Sequence, residues 1–137
     1  MIIKEKCEYQ IGTDTFQGIF CYDNEIEGPL PGVLVSHQYS GCSKLEERKS
    51  EFLAKAGYFA FAIDLYGKGI RGKTPEESLE LMNELSKDRT VISKRINHCL
   101  NLLKDQKLVD SNKVAAIGYC FGGRCVLDLA RSGAELN

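Results

Sequence analysis

Three short apolar runs govern what this chain can fold into: Val33-Leu34-Val35, Tyr58 to Ile63, and Val114 to Ile117. A strand without polar alternation needs apolar cover on both faces, as in a parallel sheet. Each run is followed by a segment of helical periodicity, and parallel neighbours require such crossovers, so strand–helix units in right-handed succession are predicted. Ahead of them, residues 1–22 alternate apolar and polar about Gly12-Thr13-Asp14, which predicts an antiparallel hairpin. Ser43-Lys44-Leu45-Glu46 reads as a capping box opening a helix that turns Leu45, Phe52, Leu53 and Ala56 inward and stops at Gly57. Thr74-Pro75-Glu76-Glu77 opens the next, with Glu77 closing its box and Leu79, Met82 and Leu85 as the apolar face. Ile92, Ile96, Cys99, Leu100 and Leu103 mark a further helix, and Asp110-Ser111-Asn112 reads as a turn. Over 121–130 the apolar positions are Val126, Leu127 and Leu129.

Composition narrows the function classes. Eighteen Lys and Arg against 19 Asp and Glu, with no basic run, supply no footprint for nucleic acid. No apolar stretch approaches the roughly 18 residues of a membrane span. Charge appears at Lys4-Glu5, too early for a secretory signal, so a cytoplasmic protein is expected. None of the six cysteines forms C-x-x-C, and His37 and His98 are not spaced with them as zinc ligands are. Free thiols are expected, most of them small buried hydrophobes, with no metal and no cofactor.

One cysteine stands apart. Gly118-Tyr119-Cys120-Phe121-Gly122 is a G-x-S-x-G nucleophile elbow with cysteine in the serine position, followed by Gly123. The nucleophile must project from a sharp strand-to-helix turn, and residues two before and two after it crowd that turn, so both are glycine. Cys120 also falls at a helix N-terminus, where peptide dipoles stabilise negative charge. The Phe121 amide would face the oxyanion formed by attack on a carbonyl. The alternative is a tight glycine turn around an inert buried cysteine. Phosphate-binding glycine loops do not match this spacing. The strand before the motif and the helix after it favour the catalytic reading.

Here the chain resembles the dienelactone hydrolases of the α/β-hydrolase fold. The likeness is carried by Pro31-Gly32-Val33-Leu34-Val35-Ser36-His37-Gln38, Ala56-Gly57-Tyr58, Asp64-Leu65-Tyr66-Gly67, and Val114 to Gly123. It implies a three-layer α/β fold with a mostly parallel sheet and an N-terminal antiparallel hairpin. Residues 1–137 would form a single partial domain, its C-terminal strands and helices missing. It also implies hydrolysis of a small-molecule ester or lactone by a Cys-His-Asp triad, without metal or organic cofactor, with the Tyr39 amide as second oxyanion donor. Two departures stand out. Gln38 occupies a position where the family usually has glutamate, and glutamine cannot accept a proton. The triad Asp and His are expected beyond the chain end, because after Cys120 only Asp128 is an aspartate and no histidine follows. Asp128 is expected to be a solvated surface residue, as are Lys94 and Arg95. If the strand at 33–37 lies beside that at 114–118, His37 falls near Cys120, either ordering the oxyanion loop by hydrogen bonding or serving as base. His98 reads as a partly buried, satisfied histidine, Arg71 as a candidate for a substrate carboxylate, and Arg124 as uncommitted. The strand at 114–118 is left with an open edge, so a dimer through that edge is the alternative to a catalytic role. The chain alone is expected to be nearly inactive.

Overall fold

The hairpin forms where the alternation requires it. In the computed structural model, which describes residues 1–137, β1 (Ile2–Ile11) and β2 (Asp14–Asp23) pair antiparallel throughout, joined at Gly12 with φ +64°. The remaining elements are β3 (Leu30–Ser36), α1 (Lys44–Lys55), β4 (Phe59–Ala62), α2 (Pro75–Ser86), α3 (Arg89–Lys104), β5 (Val109–Gly118) and α4 (Phe121–Arg131). They build one sheet in the order β1-β2-β4-β3-β5. β2 joins β4 antiparallel, whereas β3 runs parallel to both β4 and β5, so the hairpin flanks a parallel core.

Side-chain size divides the two faces. Phe59, Phe61, Phe20, Phe16 and Tyr9 project to one side and form a continuous core with Ile92, Ile96, Cys99 and Leu103 of α3 and Cys125 and Leu129 of α4. The residues between them, Cys21 and Ala60, project to the other side and meet Ala54 of α1. Helices therefore cover both faces, as expected of a three-layer α/β fold.

The small-residue face changes which side of α1 turns inward. Its buried residues are Glu46, Ser50 and Ala54, while Leu45 is 44% and Phe52 72% exposed and Ala56 is exposed; of the four residues expected inside, only Leu53 is half-buried. Flush packing on Ala60 and Cys21 suits serine and alanine. The cap also draws Glu46 in, because its carboxylate accepts from the Ser43 N–H at 2.8 Å and the Ser43 hydroxyl at 2.7 Å. In α2 the buried positions are Ser78 and Leu85, with Leu79 exposed and Met82 half-buried. Its Thr74 cap holds the Glu77 N–H at 3.1 Å, but the Glu77 carboxylate accepts from the Lys73 N–H, one residue beyond the Thr74 amide that would close a box. In α4, Phe121, Cys125 and Leu129 are buried, while Leu127 is exposed and Val126 half-buried.

Residues Asp110–Asn112 are not a turn before the strand. β5 starts at Val109, and its register against β3 jumps from Pro31↔Asp110 to Gly32↔Val114, so 111–113 bulge out of a continuous strand. Ala115, Ala116 and Ile117 are half-buried, not buried, because β5 is the last strand of the sheet. Asp128 is also not a solvated residue. It is 7% exposed, with its carboxylate 2.7 Å from the Arg89 guanidinium at the start of α3 and 3.5 Å from Arg131. Arg95 lies over the Phe16 ring and donates to the Leu65 carbonyl at 2.7 Å, half-buried, while Lys94 is exposed as expected.

Candidate active site

Parallel pairing of β3 and β5 sets Ser36 level with Gly118, so the segments that follow each strand leave the sheet at the same end. The turn after β5 holds the Gly118–Gly122 motif. Cys120 is the one non-glycine residue with positive φ, at +53°, and it is exposed. Such a conformation costs about 1–3 kcal/mol and persists only where surrounding structure enforces it. The enforcing contacts are backbone approaches. A Cβ on Gly118 would lie 2.3 Å from the carbonyl of Gly122, and one on Gly122 would lie 2.3 Å from the Ser36 oxygen and 2.7 Å from that of His37. Gly123 is looser, its Cβ falling 3.2 Å from the Gly118 oxygen. The glycines let α4 begin hard against the end of β3, and Cys120 is forced outward. Its thiol opens onto a depression of about 760 Å³ whose walls include Ile117, Tyr119, Gly123, Arg124 and Leu127.

The other thiols differ. Cys21, Cys42, Cys99 and Cys125 are buried, and burial pushes each thiol up to about 12, while half-buried Cys7 is pushed up to about 11.

The loop after β3 carries the remaining expected residues. His37 is fully buried and both ring nitrogens are engaged: Nδ1 lies 2.7 Å from the Gln38 carbonyl, and Nε2 accepts the Leu65 N–H at 3.0 Å. Those bonds define a neutral ring protonated at Nδ1, and burial lowers its pKa. The ring has no free nitrogen with which to take a proton from Cys120, so its place is in the loop. Gln38 is half-buried, and its side-chain amide makes no hydrogen bond. The Tyr39 and Phe121 N–H groups find no acceptor within the chain: Tyr39 lies outside every helix and strand, and Phe121 is the first residue of α4.

Asp64 and Tyr66 belong to this network, and no role was read for them from the sequence. The fully buried Asp64 carboxylate accepts from the Tyr66, Gly67 and Gln17 amides at 3.0, 3.1 and 3.1 Å and lies 3.5 Å from Arg71. The Tyr66 hydroxyl donates to the Tyr39 carbonyl at 2.7 Å. An aspartate ending an apolar strand just ahead of a glycine was the available signal. Arg71 is held within its own loop, donating to the carbonyls of Gly67 at 3.2 Å and Ile70 at 2.6 Å. It lines a cavity with Glu77 and Glu84, apart from the depression at Cys120. His98 is half-buried and stacked 5.7 Å from Tyr9, and Arg124 is exposed, 3.5 Å from the Ser86 hydroxyl. No three His, Cys, Asp or Glu side chains stand together as metal ligands, and no helix is long and apolar enough to cross a membrane.

Comparison with known proteins identifies the family. Residues 17–137 match the model of the dienelactone hydrolase family. Over 117 residues the chain is 28% identical to a Bradyrhizobium sp. protein named "Probable 2-oxo-3-(5-oxofuran-2-ylidene)propanoate lactonase", covering 80% of this chain and 44% of that one. Among solved structures, m3DLH superposes with a TM-score of 0.94 at 34% identity, over 99% of this chain and 57% of its own. The dienelactone hydrolase-like promiscuous phosphotriesterase P91 from metagenomic libraries superposes with a TM-score of 0.93 at 33% identity, over 99% and 56%. The chain thus spans about half the length of these relatives. It belongs to the dienelactone hydrolase family of α/β-fold hydrolases.

Proposed function

We propose that this chain carries the nucleophile half of a hydrolase acting on a small carboxylic ester or lactone. Cys120 is the nucleophile, and the amides of Phe121 and Tyr39 form the oxyanion hole. The observation that carries the reading is Cys120 itself, exposed at φ +53° between glycines that admit no side chain. Backbone strain of this kind concentrates at functional sites. The sulfur attacks the carbonyl carbon, the carbonyl electron pair moves to oxygen, and collapse expels the alkoxide to leave a thioester that water hydrolyses. On this reading the base and its aspartate come from polypeptide outside these 137 residues, since both His37 nitrogens are engaged. A substrate carboxylate meeting Arg71 would have to draw the guanidinium away from Gly67 and Ile70.

The test is acylation of the chain by p-nitrophenyl acetate, followed by mass spectrometry of its peptides. A single acetyl group on Cys120, absent from Cys120→Ala, is expected, with slow or no turnover. Absence of that adduct from a protein whose Cys120 still reacts with iodoacetamide would refute the reading.

A second reading rests on the sheet edge. β5 ends the sheet, and the Val114 N–H and C=O are taken by Asn137 at 3.0 and 2.9 Å, leaving the same side of Ala116 and Gly118 unpaired. An open edge is a pairing template, so here the chain acts as a module that dimerises or pairs through β5 without catalysing anything. Sedimentation velocity should then show a dimer that a proline at Ala116 converts to monomer. A concentration-independent monomer in the unsubstituted protein would exclude self-pairing.

A further inference from the structure

We propose that Tyr66 and His37 are positioning residues that aim the Tyr39 amide as an oxyanion donor, an inference that rests on the nucleophile reading of Cys120. The Gln38–Tyr39 bond is trans and planar, so the direction of its C=O dictates the opposite direction of its N–H. That carbonyl is gripped twice, by His37 Nδ1 at 2.7 Å and by the Gly41 N–H at 3.1 Å. The next carbonyl along, that of Tyr39, is gripped by the Tyr66 hydroxyl at 2.7 Å. Both acceptors flanking the Tyr39 N–H are thereby fixed from the protein interior, while the N–H between them is left without an intramolecular partner.

The two gripping side chains are themselves locked. His37 Nε2 accepts the Leu65 N–H, which fixes the tautomer that can donate from Nδ1. The Tyr66 backbone is tied to Asp64, and its ring packs 4.8 Å from His37 and stacks 6.0 Å from Phe121 at 18°. Phe121 supplies the other unpartnered amide, so one buried ring cluster supports both donors. Purely structural burial would satisfy these polar atoms, but it would not require the gripped peptide to be the one whose N–H is free.

The experiment compares two reactions of Cys120 in the whole chain. Acylation by p-nitrophenyl acetate forms the S–C bond through a tetrahedral oxyanion and expels p-nitrophenolate. Alkylation by iodoacetamide forms an S–C bond by displacing iodide at a saturated carbon and develops no oxyanion. Removing a direct oxyanion donor costs roughly 100- to 1,000-fold, and mispositioning one should cost less, so about a tenfold loss of acylation is expected for Tyr66→Phe and His37→Asn. Alkylation should stay within about twofold of the parent rate. An acylation-to-alkylation ratio in Tyr66→Phe equal to the parent's overturns the proposal, including the case in which both rates fall together. A parent protein that is alkylated but never acylated fails one step earlier, at the nucleophile reading, and the proposal falls with it.

Discussion

Cys120 differs from the other five cysteines by backbone conformation and burial, not by residue type. Its positive φ turns the thiol outward, whereas burial holds Cys21, Cys42, Cys99 and Cys125 as thiols with pKa values of about 12. Because the thiolate is the reactive species, brief exposure to iodoacetamide at neutral pH should label one site in the folded chain. Peptide mapping should find it at Cys120, with all six labelled after denaturation. Early labelling of Cys42 or Cys99 would contradict the burial. The tight glycine-bounded turn was legible in the sequence because its spacing obeys a local steric rule. The engagement of both His37 nitrogens is not legible in the sequence, since its partners include Leu65, far along the chain. Tyr66 was missed for the same reason: its hydroxyl acts on Tyr39 across a strand connection.

At the scale of elements, capping residues and periodicity placed most helices, and errors arose where packing chose the face. α1 exposes Leu45 and Phe52 because the sheet beneath it presents Ala60 and Cys21, which fit serine and alanine more closely. Asp128 is the clearest case. In a helical repeat it reads as solvent-facing, yet it clamps α4 to the first residue of α3 through Arg89. The pair is partly exposed on the arginine side, so Asp128→Ala should cost about 1–2 kcal/mol. Urea denaturation monitored by circular dichroism checks this, with Lys94→Ala, an exposed residue on α3, as the neutral control. A Gly122→Ala substitution should be more damaging, about 3 kcal/mol, because its methyl would meet the Ser36 and His37 carbonyls, which belong to rigid backbone.

For the whole molecule, buried titrating groups set a pH window. The folded state keeps His37 neutral with its pKa below 6.5, whereas the unfolded chain takes up that proton as pH falls through 6.5. Unfolding then gains a proton, so stability should fall below about pH 6.5, by at most roughly 1.4 kcal/mol per pH unit for one group. The buried thiols act oppositely. Unfolded cysteines ionise near 9.0 while the folded ones hold their protons to about 12, so stability should fall as pH rises above 9. Denaturation midpoints measured across about pH 5.5 to 10 should trace a plateau between these limits, with the acid slope reduced in His37→Asn. An acid limb unchanged by that substitution would assign the loss to carboxylates instead.

Local chemistry in the sequence determined the strand–helix alternation, the hairpin, the capped helices and the glycine-bounded turn at Cys120. Each depends on residues within a few positions of one another, where sterics and hydrogen bonding act without reference to the rest of the fold. Only the tertiary structure decided which side of α1 and α4 is buried, that Asp128 is buried and Arg95 half-buried, and that Tyr66 and His37 grip the two carbonyls around the Tyr39 amide. Those outcomes depend on the size of side chains on neighbouring strands and on partners brought together across the sheet, which spacing along the chain does not encode.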